Sequence, residues 1–321
     1  MKYKHLLSPI KIGNVVLKNR MMASNALPHF TQGPETYPND SIIEYLSGIA
    51  NNGASVVTFA DWSDASLRSF GNGDICHFPV YDLTNPATEN CMNQLTDAIH
   101  FYGSKASVAL SIKAPREYDV YAHSDTVLPD MITDMMEEFE DMTPQMAKLF
   151  QSGGGQKLMM KMLAHAPAGK NAPPLPFSVG PQKELTEKQM EEIIQAVLEK
   201  LHYYHNCGFD MCTLHMAYRS ALLANFLSPL MNKRTDKYGG SHENRARFPL
   251  MLCRSIKDEF GQDFLIEVQV SGEDGKPGGF TVDDLVEFSK LAEGKIDILQ
   301  IRAGDADDAH PTGYNSLYPL Q

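Results

Sequence analysis

His215 closes an apolar, strand-like run, Phe209–His215, and Tyr218 and Arg219 follow it closely. An imidazole so placed can donate a hydrogen bond to an oxygen that gains negative charge, and a phenol or guanidinium nearby can supply a second donor. Arginine stays charged near neutrality and clasps a carboxylate or carbonyl through a planar fork, which favours an anionic or strongly polar substrate. The bland alternatives are a histidine satisfied by backbone and an arginine paired with acids elsewhere in the chain. Arg302 closes another run, Ile296–Ile301, and either shares a rim with His215 or is an exposed strand-end arginine. Lys113 closes a third, Ala106–Ile112, where a Schiff-base lysine would need desolvation. Pro115, Arg116 and Glu117 beside it mark a solvated loop instead.

Groups at strand ends do chemistry only if the strands are parallel and share one rim, so the elements between them matter. Apolar runs rich in branched residues lie at Arg20–Ser24, Ala54–Ala60, Ala106–Ile112, Phe209–His215, Phe264–Val270 and Ile296–Ile301. Helical periodicity falls between them, at Ser41–Asn52 with a capping box from Ser41 to Glu44, Ala87–Tyr102, Thr186–Asn206 with a box from Thr186 to Gln189, Glu243–Phe260 and Thr281–Glu293. Alternating strands and helices predict an α/β fold with a parallel sheet. A (β/α)8 TIM barrel needs eight such units, and about six are legible, so the expectation is an incomplete barrel whose sites lie at the carboxyl ends of its strands. The loops after strands seven and eight usually grip a cofactor phosphate, and the chain reads as the amino-terminal portion of a longer ancestor.

Composition narrows the function classes. With 28 basic and 40 acidic residues the formal charge is −12, which repels nucleic-acid backbones. No apolar run nears the ~20 residues of a membrane span, and the amino terminus lacks a secretory signal, so the expected location is the cytoplasm. The five cysteines show no CxxC spacing and read as buried or free thiols, neither a disulfide framework nor a metal site.

The segment Asn232–Phe248, NKRTDKYGGSHENRARF, combines fixed charges, a double glycine and a helix start. Together with Leu214–Arg219 (LHMAYR), Asn225–Pro229 (NFLSP), Leu7–Gly13 (LSPIKIG) and Leu17–Arg20 (LKNR), it resembles the old yellow enzyme family of FMN-dependent reductases. The resemblance implies hydride transfer from reduced FMN to the activated C=C bond of an unsaturated carbonyl compound, with His215 as the substrate-binding histidine. The family's second polar donor and its tyrosine acid fall on Tyr218 and Ser220. A serine hydroxyl is only weakly acidic, so Tyr218 or Arg219 must serve. The charged block itself reads as structural, a network of Arg234, Asp236, Glu243, Arg245 and Arg247 around the turn at Gly239-Gly240, with Ser241 capping the next helix.

Several flavin-contact positions depart from the family. Ser24, Asn25 and Ala26 stand where Pro-Met-Thr is usual, keeping backbone donors but losing a hydroxyl. Ser111 replaces a glutamine at the pyrimidine edge, Gln269 replaces an arginine, and Ala60 offers backbone; Arg302 is a further candidate at the same rim. With the phosphate loops absent, these changes imply weak FMN binding by this chain. The large anaerobic branch of enoate and 2,4-dienoyl-CoA reductases continues into an iron–sulfur cluster and an FAD/NADH module, neither encoded here. A homo-oligomer or a second chain could complete the barrel. The alternative is a flavin-poor relative that acts only as a binding module or is inactive.

The connection Lys113–Glu184 is unusually long. It holds Met131, Met135, Met136, Met142, Met146, Met159, Met160 and Met162, an acidic run Glu137–Asp141 and Gly153-Gly154-Gly155. It reads as a lid with an adaptable methionine lining in one domain spanning residues 1–321, or as a self-packed or disordered insertion.

Overall fold

The structure, a computed structural model, describes residues 3–25, 37–61, 81–110, 112, 184–217, 221–274 and 277–302. The methionine-rich connection expected to form a lid or a self-packed insertion, together with Ala26, Ser111, Tyr218 and Arg219, lies outside the described residues.

Six parallel strands, β3 (Met22–Ala23), β4 (Val56–Ala60), β5 (Lys105–Leu110), β6 (Met211–Met216), β7 (Leu265–Ser271) and β8 (Ile298–Arg302), pair in that spatial order. They curl into a half-barrel with helices outside. Among the described residues the helices are α1 (Asp40–Asn51), α2 (Pro86–Phe101), α3 (Glu187–Asn206), α4 (Leu222–Leu227), α5 (His242–Phe260) and α6 (Val282–Ala292). Among the described residues, six parallel strands of the expected (β/α)8 architecture are present.

Strand periodicity creates two different interiors, because successive side chains point to opposite faces. On the outer face Val57, Phe59, Ala106, Val108, Cys212, Leu214, Ile266 and Val268 pack with the helices in one large apolar core. Burying one such side chain contributes roughly 1.5–3 kcal/mol. The helices meet this core with stripes at helical spacing: in α3 these are Met190, Ile194, Val197, Leu201 and Tyr204. On the inner face the first layer is also apolar, formed by Val56, Met211 and Leu265 against Val15 and Leu17.

Val15 and Leu17 belong to an antiparallel hairpin, β1 (Ile10–Ile12) with β2 (Val15–Leu17), which is not among the strands expected from the sequence. Its turn needs Gly13 at φ 55°, and a Cβ there would sit 2.7 Å from the Gln262 carbonyl oxygen. The hairpin closes the amino-terminal end of the sheet. The LKNR segment ties down the same end. Lys18 Nζ donates to Tyr102 O at 2.7 Å and Ser104 Oγ at 2.9 Å, and Asn19 Nδ2 donates to Gly53 O at 2.8 Å.

The capping box of α3 is present, with Thr186 and Gln189 exchanging side-chain and backbone bonds. In α1 the cap differs from expectation. Asn39 caps the helix, accepting from Ser41 N and Ile42 N, so the expected Ser41–Glu44 box does not form. Both residue types suit an N-cap, but Asn39 sits one position before the first helical residue and its carbonyl oxygen reaches both amides.

Arg234 grips Asp236 with two nitrogens, at 3.1 and 2.5 Å, and also donates to Leu185 O at 3.0 Å. Gly239 is required where it stands, since a Cβ would lie 2.1 Å from Arg234 O. Ser241 caps α5 as expected, accepting from Asn244 N. The network is wider than the local one foreseen. Arg245, 8% exposed, donates to Leu227 O at 2.9 Å and to Gly240 O at 2.5 Å and pairs with Asp284 at the start of α6. The block therefore bolts α4, α5 and α6 together. Of the cysteines, Cys207, Cys212 and Cys253 are buried and free, and burial pushes the Cys253 thiol up to about 12. No helix among the described residues is long and apolar enough to cross a membrane.

Candidate functional site

The strand register determines which side chains share the interior. Ala60 pairs with Ala109, His215 with Gln269, Gln269 with Gln300, and Ser271 with Arg302. Counting by twos from the apolar layer of Val56, Met211 and Leu265, the next inward layer is Thr58, Ser107, Thr213, Glu267 and Gln300. Above it, at the carboxyl ends, stand Ala60, Ala109, His215, Gln269 and Arg302. The interior thus changes from apolar at the hairpin to polar at the rim within one or two steps of the strand repeat.

The polar layer is hydrogen-bonded across strands. Ser107 Oγ and Thr213 Oγ1 lie 2.9 Å apart, and Thr213 Oγ1 donates to Glu267 Oε2 at 2.6 Å. Burial pushes the Glu267 carboxyl above its ordinary value, while the Thr213 hydrogen bond and the charge of Arg302 oppose that shift. Thr58 Oγ1 and Gln300 Oε1 are buried with no protein partner, which leaves polar capacity pointing into the barrel. Glu267 was not singled out in the sequence. Its signal was a carboxylate inside the apolar run LIEVQV, where only a cross-strand partner could satisfy it.

At the rim, four of the expected residues meet. Gln269, 1% exposed, donates from Nε2 to Asn25 Oδ1 at 3.2 Å and toward Ser24 Oγ at 3.5 Å. Its Oε1 accepts from Arg302 Nη1 at 3.3 Å. Ser24 Oγ in turn donates to Asn25 Oδ1 at 3.2 Å. This chain of contacts spans from the first barrel strand, β3, to the last, β8. His215 is the register neighbour of Gln269, and Ala60 stands beside Ala109 with nothing larger than a methyl on either. Ser24, Asn25, Ala60, His215, Gln269 and Arg302 therefore occupy one end of the half-barrel. Tyr218 and Arg219 follow β6 at the same end of the sequence order, outside the described residues.

A small cavity of about 20 Å³ lies on the other side of the sheet, lined by Met216, Asn225, Ser228, Ser271, Asp274 and Phe280. It has room for about one water. Ser228 Oγ donates to Asp274 Oδ2 at 2.5 Å and Phe280 N to the same oxygen at 2.7 Å, which makes it part of the loop anchoring around α4.

The rim's chemistry fits the pyrimidine edge of a flavin. The Gln269 amide and the Arg302 guanidinium are donors suited to ring carbonyls and nitrogens, and the alanines leave space for a flat ring. His215 stands on the next strand.

Six parallel strands with outer helices define a TIM-barrel-type α/β protein, and the polar rim at their carboxyl ends is its candidate site. The chain belongs to the NADH:flavin oxidoreductase / NADH oxidase family, whose profile matches residues 5–312. It is 27% identical to bilirubin reductase of Mediterraneibacter gnavus (strain CC55_001C), over 98% of this chain and 41% of that protein. It is 35% identical to an NADPH dehydrogenase of Clostridium acetobutylicum, over 43% of this chain and 39% of that one. The chain spans about two fifths of the length of bilirubin reductase. Among solved structures, old yellow enzyme from Pichia sp. AKU4542 shares the fold with a TM-score of 0.60 at 23% identity, covering 92% of this chain and 70% of that one. A 2-naphthoyl-CoA reductase complex matches with a TM-score of 0.63 at 24% identity, over 94% of this chain and 41% of that one.

Proposed function

We propose that this chain forms the flavin-bearing barrel of an FMN-dependent reductase that saturates the activated C=C bond of an unsaturated carbonyl compound. One relation carries the reading: His215 and Gln269 are register partners on the inner face, and Gln269 is bonded to Arg302 at the same rim. Bound FMN supplies the hydride. The chain's own groups orient and polarise. His215 donates a hydrogen bond to the substrate carbonyl oxygen, which gains negative charge as the β-carbon accepts hydride. Tyr218 or Arg219 gives the second hydrogen-bond donor, and of the two only the Tyr218 phenol can release the proton that the α-carbon takes up. Ser24, Asn25 and Gln269 hold the ring edge, joined by Ala26, Ala60 and Ser111, whose backbone or hydroxyl groups complete it.

The names of the related bilirubin reductase and NADPH dehydrogenase support reductive chemistry driven by a nicotinamide donor. The full reading is a single cytoplasmic barrel domain over residues 1–321, with 113–184 as its lid. In it, β3 and β8, which end the six-stranded sheet, take further strands from the same chain, a second copy or a partner.

The test is an anaerobic assay of enones and enoates with FMN and a chemical reductant. Removing one such oxyanion donor usually costs about 10²–10³ in rate, so His215→Ala should lower turnover by that order. Turnover equal to wild type would remove His215 from the mechanism.

A further inference from the structure

We infer that Arg302 supplies the fixed positive charge facing the pyrimidine end of the flavin, with Gln269 as its positioning residue; this rests on the flavin reading above. A flavin that donates hydride carries negative charge on that end in its two-electron reduced form near neutral pH, and a cation held there stabilises it. Among the described residues, the cations on the inward register of the six strands are Lys105 and Arg302. Lys105 lies at the amino-terminal end and is tied to Asp210 at 2.6 Å. Among the described residues, that leaves Arg302 as the permanent charge at the carboxyl rim.

Its surroundings hold it in place. The Gln269 oxygen accepts from Arg302 Nη1 at 3.3 Å, while the Gln269 nitrogen is engaged by Asn25 Oδ1 at 3.2 Å. Reversing that amide would turn its NH2 against a guanidinium that has only donors, so the two contacts fix one orientation. The guanidinium is thereby anchored to a side chain that is itself 1% exposed. A charge set by buried partners acts at low dielectric and needs no reorganisation as the flavin is reduced. A competing role exists, because Arg302 also acts on the buried Glu267 carboxyl one layer down. If that were its whole purpose, Arg302 would be a structural counter-ion with no influence on a flavin.

Sulfite separates the two roles, since its addition to oxidised FMN creates an anionic ring that reports positive charge at the pyrimidine end. The full chain is loaded with FMN, and sulfite bleaching and the flavin midpoint potential are measured for wild type, Arg302→Gln, Arg302→Lys, Glu267→Gln and the double variant Gln269→Arg/Arg302→Gln. The expected result is a sulfite dissociation constant raised at least tenfold and a lowered potential in Arg302→Gln. Arg302→Lys should fall between, the double variant should recover toward wild type, and Glu267→Gln should keep wild-type sulfite affinity. Should Arg302→Gln fail to fold by circular dichroism, Gln269→Leu decides, because loss of the anchor must weaken sulfite binding severalfold. Unchanged sulfite affinity in the folded Arg302→Gln protein, or in Gln269→Leu, overturns this assignment alone. Failure of wild type to bind FMN overturns both it and the flavin reading.

Discussion

The Thr213 hydroxyl donates to Glu267 Oε2 across 2.6 Å inside the half-barrel, so a carboxyl group is held between two strands where water is excluded. Burial raises its protonation value in the folded state, with Thr213 and Arg302 opposing. The unfolded carboxyl titrates near ~4.3, so above that pH the folded form retains a proton that the unfolded form releases. The associated stability is complete below about pH 4.3 and is lost as pH rises through the folded value. Glu267→Gln keeps the size and removes the titration. Its unfolding free energy by urea should exceed that of wild type at pH 8, and the gap should shrink toward pH 4. A gap that does not change with pH would contradict the buried-acid account.

Arg245 joins three helical segments through Leu227 O, Gly240 O and Asp284. Removing one member of a buried ion pair typically costs about 3–5 kcal/mol, because the partner charge is left without compensation. Arg245→Ala should therefore lower the denaturant midpoint strongly, and Arg245→Lys should recover little of it, since an ammonium cannot serve three acceptors in one plane. A midpoint within experimental error of wild type would show that the charged block is not the structural bolt described above.

Gly239→Ala tests the same turn through backbone sterics. The added Cβ would meet the Arg234 carbonyl oxygen at 2.1 Å, which forces the turn to move. Thermal unfolding should shift down by several degrees, whereas alanine at the half-buried Gly48 of α1, where nothing lies within 4 Å of an added Cβ, should leave stability unchanged or raise it.

The six barrel strands were legible because outer-face burial leaves apolar residues at alternate positions, as in Cys212, Leu214 and Met216. The hairpin was less so. IKIGNVVL contains its turn at Gly13-Asn14, but two three-residue strands give too little periodicity to stand apart from the strand that follows. Local chemistry could not choose between Asn39 and Ser41 as the cap of α1, since both side chains accept from helix amides and only the backbone path decides. At the site, strand-end position was enough to select His215 and Arg302, and the resemblance to the family picked out Gln269. Their mutual arrangement was not, because the Gln269 contacts to Asn25 and Arg302 depend on the curl of the sheet. Glu267 escaped notice for a related reason: its partner Thr213 lies on the neighbouring strand, 54 residues away.

If a flavin ring lies on the inner rim between Ala60 and Gln269, as proposed above, an FMN titration reveals it. FMN is added to the full chain and followed by flavin difference absorbance, in wild type and in Ala60→Phe, whose ring would fill the space beside Ala109. A saturable spectral change is expected in wild type, with its loss in a variant whose circular dichroism is unaltered. Equal FMN binding by Ala60→Phe, or no saturable binding by wild type, would contradict it.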